Sequence, residues 1–156
     1  MNTHVPSVEV PTDPHALAQA VGAAMYAVDA ATQGLDMQVT EMAAGYARLT
    51  MRVRPDMLNG HQTCHGGFIF ALADSAFAFA CNSRNASTVA SGCTIDFLAP
   101  AYAGDELTAV AQERSLAGRT GVYDVTVTNH DGRQVALFRG RSYRIKGQIV
   151  GTPPDA

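Results

Sequence analysis

From Pro14 onward, apolar residues return every three or four positions: Leu17, Val21, Met25 and Val28. That spacing puts them on one face of a helix, and Asp13-Pro14 ahead of them supplies an N-cap and a first-turn residue. The pattern predicts an amphipathic helix from Pro14 to Val28, ended by Thr32-Gln33-Gly34. The period then falls to two. Leu35 to Thr40 and Tyr46 to Val53, joined by Ala43-Ala44-Gly45, read as strands; in the second, Leu49, Met51 and Val53 alternate with Arg48, Thr50 and Arg52. Pro55 stops that strand. A polar loop, Asn59-Gly60-His61-Gln62-Thr63-Cys64-His65, then opens into Gly66 to Asn82, which is apolar on every side, contains no proline and carries one formal charge, Asp74. It predicts a helix buried all round, roughly 25 Å long, too short to span a membrane comfortably.

After Arg84 the period is two to the end. Thr88 to Leu98, Glu106 to Leu116, Val122 to Asn129 and Gln134 to Ile145 are predicted strands. They are separated by Pro100–Gly104, Ala117–Gly121 and the hairpin turn His130-Asp131-Gly132, whose Asp-Gly pair tolerates positive φ. Two strands, a long buried helix and four more strands with tight turns describe an α+β protein in which an antiparallel sheet curls around one helix. Residues 1–30 read as a lead-in and a short helix, 31–148 as the main domain and 149–156 as a flexible tail.

Composition narrows the function classes. With 156 residues and 47% hydrophobic content, one domain is expected. The formal net charge is −3, without a cationic stripe, so neither nucleic acid nor an anionic membrane is the expected partner. No secretory leader pattern appears, so a cytoplasmic location is expected. Cys64, Cys81 and Cys93 are too few and too widely spaced for a disulfide framework or a structural zinc site.

The chemistry concentrates around the central helix. A lone carboxylate in a buried helix costs several kcal/mol unless it is paired, hydrogen-bonded or protonated. The bland reading of Asp74 is a core carboxylate satisfied by hydrogen bonds; the other is a functional group. His61 and His65 stand four apart, but HQTCH lacks the glutamate of a zinc-protease helix and a third ligand, so no metal is called for. Cys64 beside His65 reads as a small buried hydrophobe rather than a thiol nucleophile.

The stretches NGHQTCHGG, LADSAFAFACNS, VASGCTIDFLAP, AGDELTA and TGVYD, with ALFRG near the end, resemble the hotdog-fold acyl-CoA thioesterases, most of all the PaaI type of phenylacetic acid degradation. The likeness runs from about Leu35 to Ile145. It implies an antiparallel sheet wrapped around the helix, an acyl-CoA substrate and no cofactor. It also implies Asp74 as the nucleophile or the base that activates water, with the Gly66 N–H polarising the thioester carbonyl. A helix N-terminus suits that task, since its N–H groups are unpaired and glycine permits close approach. Asn59 and His65 flank the donor, as candidates to hold the loop or touch the thioester or the water, and Gly67 follows it. For the CoA phosphates the likeness favours the turn Gly118-Arg119-Thr120-Gly121; Arg84, Arg139 and Arg141 are further cations. Ser91 and Gly92 are weaker candidates for the acyl end. The implied acyl group is phenylacetyl or a ring-hydroxylated relative, with Phe68, Phe77, Phe79 and Phe97 as candidate pocket walls or plain core.

Spacing adds one expectation. Gly66 and Asp74 stand eight residues apart, roughly 12 Å along a helix axis. A thioester needs its carbon within about 3.5 Å of the attacking atom and its oxygen about 3 Å from the donor. One helix serves both poorly, whereas two antiparallel helices across a two-fold axis serve both well. Composite sites in an obligate homodimer are therefore expected; the resemblance adds pairing into a dimer of dimers. Two other readings of the same fold are a non-catalytic acyl-CoA sensor and a hotdog dehydratase or hydratase. The sensor lacks use for an attacking carboxylate, and the dehydratase needs a carboxylate–histidine pair poised on a hydroxyacyl chain.

Overall fold

The computed structural model describes residues 9–151. What the sequence suggests for the lead-in before residue 9 and for the tail after residue 151 lies outside the described residues.

Helix α1 (Pro14–Val28) starts where predicted, with the Asp13 carboxylate accepting the Ala16 N–H at 2.8 Å. Its buried seam is Ala18, Val21 and Gly22. A Cβ on Gly22 would stand 2.9 Å from the Met42 side chain, so only glycine lets the helix lie this close to the sheet. Val28 departs from the expected apolar face and is 84% exposed. The reason is local: Asp29 caps a second short helix, α2 (Ala30–Gly34), through Thr32, and turns the chain before Val28 reaches the core. That helix, with Asp36 at positive φ, also delays the first strand, so β1 covers Gln38–Ala43 rather than starting at Leu35.

Strands β1, β2 (Tyr46–Arg52), β3 (Thr88–Phe97), β4 (Glu106–Ala117), β5 (Thr120–Thr128) and β6 (Gln134–Arg144) form one antiparallel sheet in the order β1-β2-β4-β5-β6-β3. Helix α3 (Gly66–Asn82) lies across it, packed chiefly on β2, β4 and β5, with Leu72, Phe77 and Phe79 fully buried. The Phe77 ring covers Gly140 of β6 and packs against Tyr123 and Phe138. An antiparallel sheet wrapped around one long helix is thus the architecture, as the sequence led us to expect. No helix among the described residues is long and apolar enough to cross a membrane.

Three expectations change in detail. The central helix is not buried all round: Gly67, Ala71, Asp74 and Ala78, spaced four, three and four, form one stripe that stays exposed or half-buried. The turn placed at Gly118–Gly121 shrinks to Gly118-Arg119, because Ala117 pairs with Thr120 and Leu116 with Gly121. The tail starts with two fastened residues, since Asn85 accepts the Ile149 and Val150 N–H groups and donates to the Val150 carbonyl.

Candidate active site

The loop before α3 is built on Asn59. Its side-chain oxygen accepts the His61 N–H at 2.9 Å and the Thr63 N–H at 3.3 Å, and its backbone N–H donates to the Thr63 carbonyl. That closes the loop on itself, with Gln62 at positive φ at the tip. The His65 N–H bonds the Met57 carbonyl and the Cys64 N–H bonds the Ala101 carbonyl, both at 2.8 Å, which pins the loop's exit beside the segment that follows β3. Of the two roles expected for Asn59, its oxygen serves the loop.

His65 is the N-cap of α3. Its Nδ1 accepts the Gly67 N–H at 3.0 Å, which fixes that nitrogen as unprotonated and turns Nε2 outward. The His65 carbonyl takes the Phe68 N–H. Among the described residues, nothing accepts the Gly66 N–H. The Gly67 and Phe68 donors are thus taken up by His65, and the Gly66 N–H is left for whatever approaches the helix end.

Phe97, the last residue of β3, covers that end. A Cβ on Gly66 would sit 2.9 Å from the tip of its ring, and the ring is itself 54% exposed. Phe68 meets the His65 ring edge-on. Phe77 and Phe79 are core residues remote from any surface, so of the four phenylalanines only Phe68 and Phe97 stand at the helix start.

Asp74 lies two turns along, on the open stripe. It is half-buried, no group among the described residues donates a hydrogen bond to its carboxylate, and burial alone pushes its pKa up. The bland reading required hydrogen-bond partners, and this carboxylate has none. Cys93 of β3 lies near enough to feel the carboxylate: burial raises its thiol pKa first, and the Asp74 charge raises it further. Nothing in the sequence flagged that neighbour.

The remaining candidates scatter. Cys64 is buried with its thiol pushed up to about 11, the wrong direction for a nucleophile. Ser91 sits in a bulge of β3 and donates to the Arg141 carbonyl at 3.1 Å, and Gly92 lies beneath the Arg141 guanidinium. Gly118 and Arg119 form the β4–β5 turn and Thr120 and Gly121 continue it as strand, beside a cavity of about 580 Å³ at the opposite end of α3. Of the cations, Arg84 is spent on Glu113 and Arg139 on Asp124; Arg119 and Arg141 have no acidic partner among the described residues. No three His, Cys, Asp or Glu side chains among the described residues converge as a metal site would require.

Within one protomer, then, the free N–H and the free carboxylate share a helix but stand apart along it. Comparison with known proteins shows the family. Residues 61–136 match the model described as the thioesterase superfamily. The acyl-coenzyme A thioesterase PaaI of Escherichia coli (strain K12) is 55% identical over 128 residues, spanning 82% of this chain and 91% of that protein. The structure of the E. coli PaaI protein from the phenylacetic acid degradation operon superposes with a TM-score of 0.86 at 51% identity, covering 86% of this chain and 98% of that one. A hypothetical thioesterase protein with coenzyme A from Streptococcus pneumoniae TIGR4 superposes with a TM-score of 0.74 at 25% identity, covering 80% of this chain and 98% of that one.

Proposed function

Given that this chain belongs to the PaaI-type acyl-CoA thioesterases of the thioesterase superfamily, we propose that it hydrolyses aryl acyl-CoA such as phenylacetyl-CoA or hydroxyphenylacetyl-CoA at sites shared by two protomers. The reaction class follows from the family: the chain is an acyl-CoA thioesterase, releasing a free acid and CoA. The observation that carries the site is Asp74, half-buried on an open helical stripe with no donor to its carboxylate.

In this reading the thioester oxygen sits on the Gly66 N–H of one protomer. Asp74 of its partner draws the proton from the water that attacks the carbonyl carbon, or attacks that carbon itself. In the second case the acyl–Asp74 anhydride left by thiolate departure is then cleaved by water to free acid and carboxylate. Carbon–oxygen bond formation puts negative charge on the carbonyl oxygen, where the helix N-terminus is already aimed; collapse expels CoA as its thiolate, which takes up a proton. His65 acts through Gly67, holding the first turn so that the Gly66 N–H stays free, and Asn59 holds the loop that positions His65.

Two features favour pairing. The stripe Gly67, Ala71, Asp74, Ala78 is made of small residues apart from the carboxylate, so a second helix can approach closely. Strand β3 is a sheet edge ten residues long with Val89 and Phe97 exposed, a surface that isolated sheets do not leave open. Antiparallel pairing of two such edges about a two-fold axis sets the Gly66 end of one α3 against the middle of the other. A dimer of dimers extends the same scheme. Phe97 above Gly66 supports an aryl acyl group, which gains from stacking in a way a short aliphatic chain does not. A cytoplasmic setting suits three free thiols.

Subunit complementation tests the shared site. Asp74→Asn and Gly66→Val chains are each inactive, and are then allowed to exchange. A mixed dimer contains one site with both native groups, so random exchange restores about a quarter of wild-type activity. No recovery, with exchange verified by mass, would place both groups in one protomer's site and overturn the proposal. Free CoA release from phenylacetyl-CoA and acetyl-CoA, followed with a disulfide dye, tests the acyl group: kcat/KM favours the aryl ester. A sensor would bind both without release.

A further inference from the structure

The stretch AGDELTA, residues 103–109, stands outside the loop and helix that form the site, yet its Asp105 is tied to them through one peptide unit. Residues 102–105 form a tight turn just before β4. The Asp105 N–H donates to the Tyr102 carbonyl at 3.0 Å, and Gly104 takes the positive φ of 89° that such a turn requires. The chain leaving β2 fastens the turn from the other side. There the Val53 N–H meets the Asp105 carbonyl and the Gly104 N–H meets the Val53 carbonyl, both at 2.8 Å.

The Asp105 side chain adds a further tie. Its Oδ2 accepts the Tyr102 N–H at 2.9 Å, and its Oδ1 faces the His130 Nδ1 of the β5–β6 turn at 3.7 Å. The Tyr102 N–H belongs to the same planar peptide unit as the Ala101 carbonyl, and that carbonyl accepts the Cys64 N–H at 2.8 Å. One peptide plane thus has a carboxylate on its N–H and the loop before α3 on its oxygen. Holding the first sets the direction of the second, and the negative charge polarises the unit and strengthens its oxygen as an acceptor. Ala101 is fully buried and Cys64 nearly so, which keeps water from replacing that contact. Burial first, and then the Asp105 charge, push the Cys64 thiol up to about 11, so the carboxylate stands close to the loop. Two residues on is Gly66. Between them the His65 N–H is held by the Met57 carbonyl, and the His65 carbonyl, which shares its peptide plane with the Gly66 N–H, takes the Phe68 N–H at 3.0 Å.

We propose that Asp105 is a positioning residue for the thioester-polarising donor. It acts through the Ala101–Tyr102 peptide and Cys64, holding the Gly66 N–H at the angle that meets the carbonyl oxygen as charge develops on it. This rests on the reading of Gly66 as that donor and deepens it. The donor serves the carbonyl that every thioester shares, so Asp105 governs turnover and not the choice of acyl group.

The test compares CoA release from phenylacetyl-CoA and acetyl-CoA by wild type, Asp105→Ala and Asp105→Asn. Alanine removes the side-chain acceptor and leaves every backbone bond of the turn in place. Its kcat falls about tenfold, short of the roughly hundredfold that follows outright loss of an oxyanion donor, with KM changed by less than about twofold and the same factor for both esters. Asparagine keeps an oxygen for the Tyr102 N–H and returns kcat to within about threefold of wild type. Amide hydrogen exchange at Cys64 follows the same order, fast in the alanine variant and protected in the other two. A merely structural role would shift the urea midpoint and leave kcat of the folded protein where it was. Should the alanine chain not fold, Asp105→Glu, whose carboxylate sits one methylene further out, carries the same expectation of lost kcat at unchanged KM. Wild-type kcat in the alanine variant, or in the glutamate variant that stands in for it, overturns the proposal, as does a factor that differs between the two esters. An inactive Gly66→Val chain beside a fully active Asp105→Ala chain overturns it alone. An active Gly66→Val chain overturns the donor reading and this one with it.

Discussion

Replacing Asp74 with Asn separates catalysis from folding, because the two respond in opposite directions. The substitution keeps shape and removes only the charge and the basicity. A positioned base in the transition state contributes about 10²- to 10⁴-fold, so kcat falls by that factor, about 3 to 5.5 kcal/mol of barrier. Stability moves the other way. Burial raises the Asp74 pKa and no donor compensates, so the folded state holds its proton more tightly than the unfolded chain does. Native protein therefore binds more protons, and the contribution of Asp74 to stability declines as pH rises from the ordinary carboxylate range through the raised value. Above that window its charge is a constant penalty. An amide, neutral at every pH, escapes it. The melting temperature of Asp74→Asn at pH 7 thus exceeds that of wild type, by about 3 °C for each kcal/mol relieved in a chain of this length, and the two curves converge in acid. The same raised pKa puts the acid limb of kcat/KM above the ordinary carboxylate range, and that limb disappears in the variant. CoA release across pH and calorimetric melting at each pH check all three. A variant that keeps more than a tenth of wild-type kcat would remove Asp74 from the chemistry. One that loses activity and also melts several degrees lower would refute the claim that this carboxylate is an unsatisfied functional group.

Other positions give sharper local tests. Gly66→Ala drives a methyl into the Phe97 ring tip, which is exposed and can swing away, so melting changes little while kcat falls about tenfold or more as the ring and methyl crowd the donor. Gly140→Ala places a methyl 2.8 Å from three atoms of the buried Phe77 ring, which cannot yield; overpacking of this kind costs about 1–3 kcal/mol and shows as a shifted urea midpoint. Cys64→Ala keeps more than half of wild-type activity in the thiol-release assay, since that thiol is held protonated. Asp13→Ala removes the cap on Ala16 and lowers stability by about 1 kcal/mol in the same urea titration, without changing kcat.

Much of the architecture was legible because it is periodic or punctuated. Alternation placed Leu49 and Met51 inside and Arg48 and Arg52 outside, and the run from Gly66 to Asn82 became α3 at both ends as read. Local signals were missed where a side chain competed with the pattern: Asp29 recruited Thr32 into a cap, which ended the apolar face of α1 before Val28. The candidate site was legible as a motif but not as a division of labour. That His65 is spent on Gly67 and Asn59 on Thr63, leaving Gly66 free, depends on which N–H each side chain reaches.

By itself the sequence determined the order of elements, the lone carboxylate in the central helix and the glycine-opened helix start, since these are written in neighbouring residues. Only the tertiary structure decided that Phe97 roofs Gly66 from 31 residues away and that Asp74 finds no donor. Those relations arise from strand order and register, which bring β3, β5 and β6 against α3. A hydrophobic period fixes the face a residue takes, but it carries no information about which distant strand will meet that face.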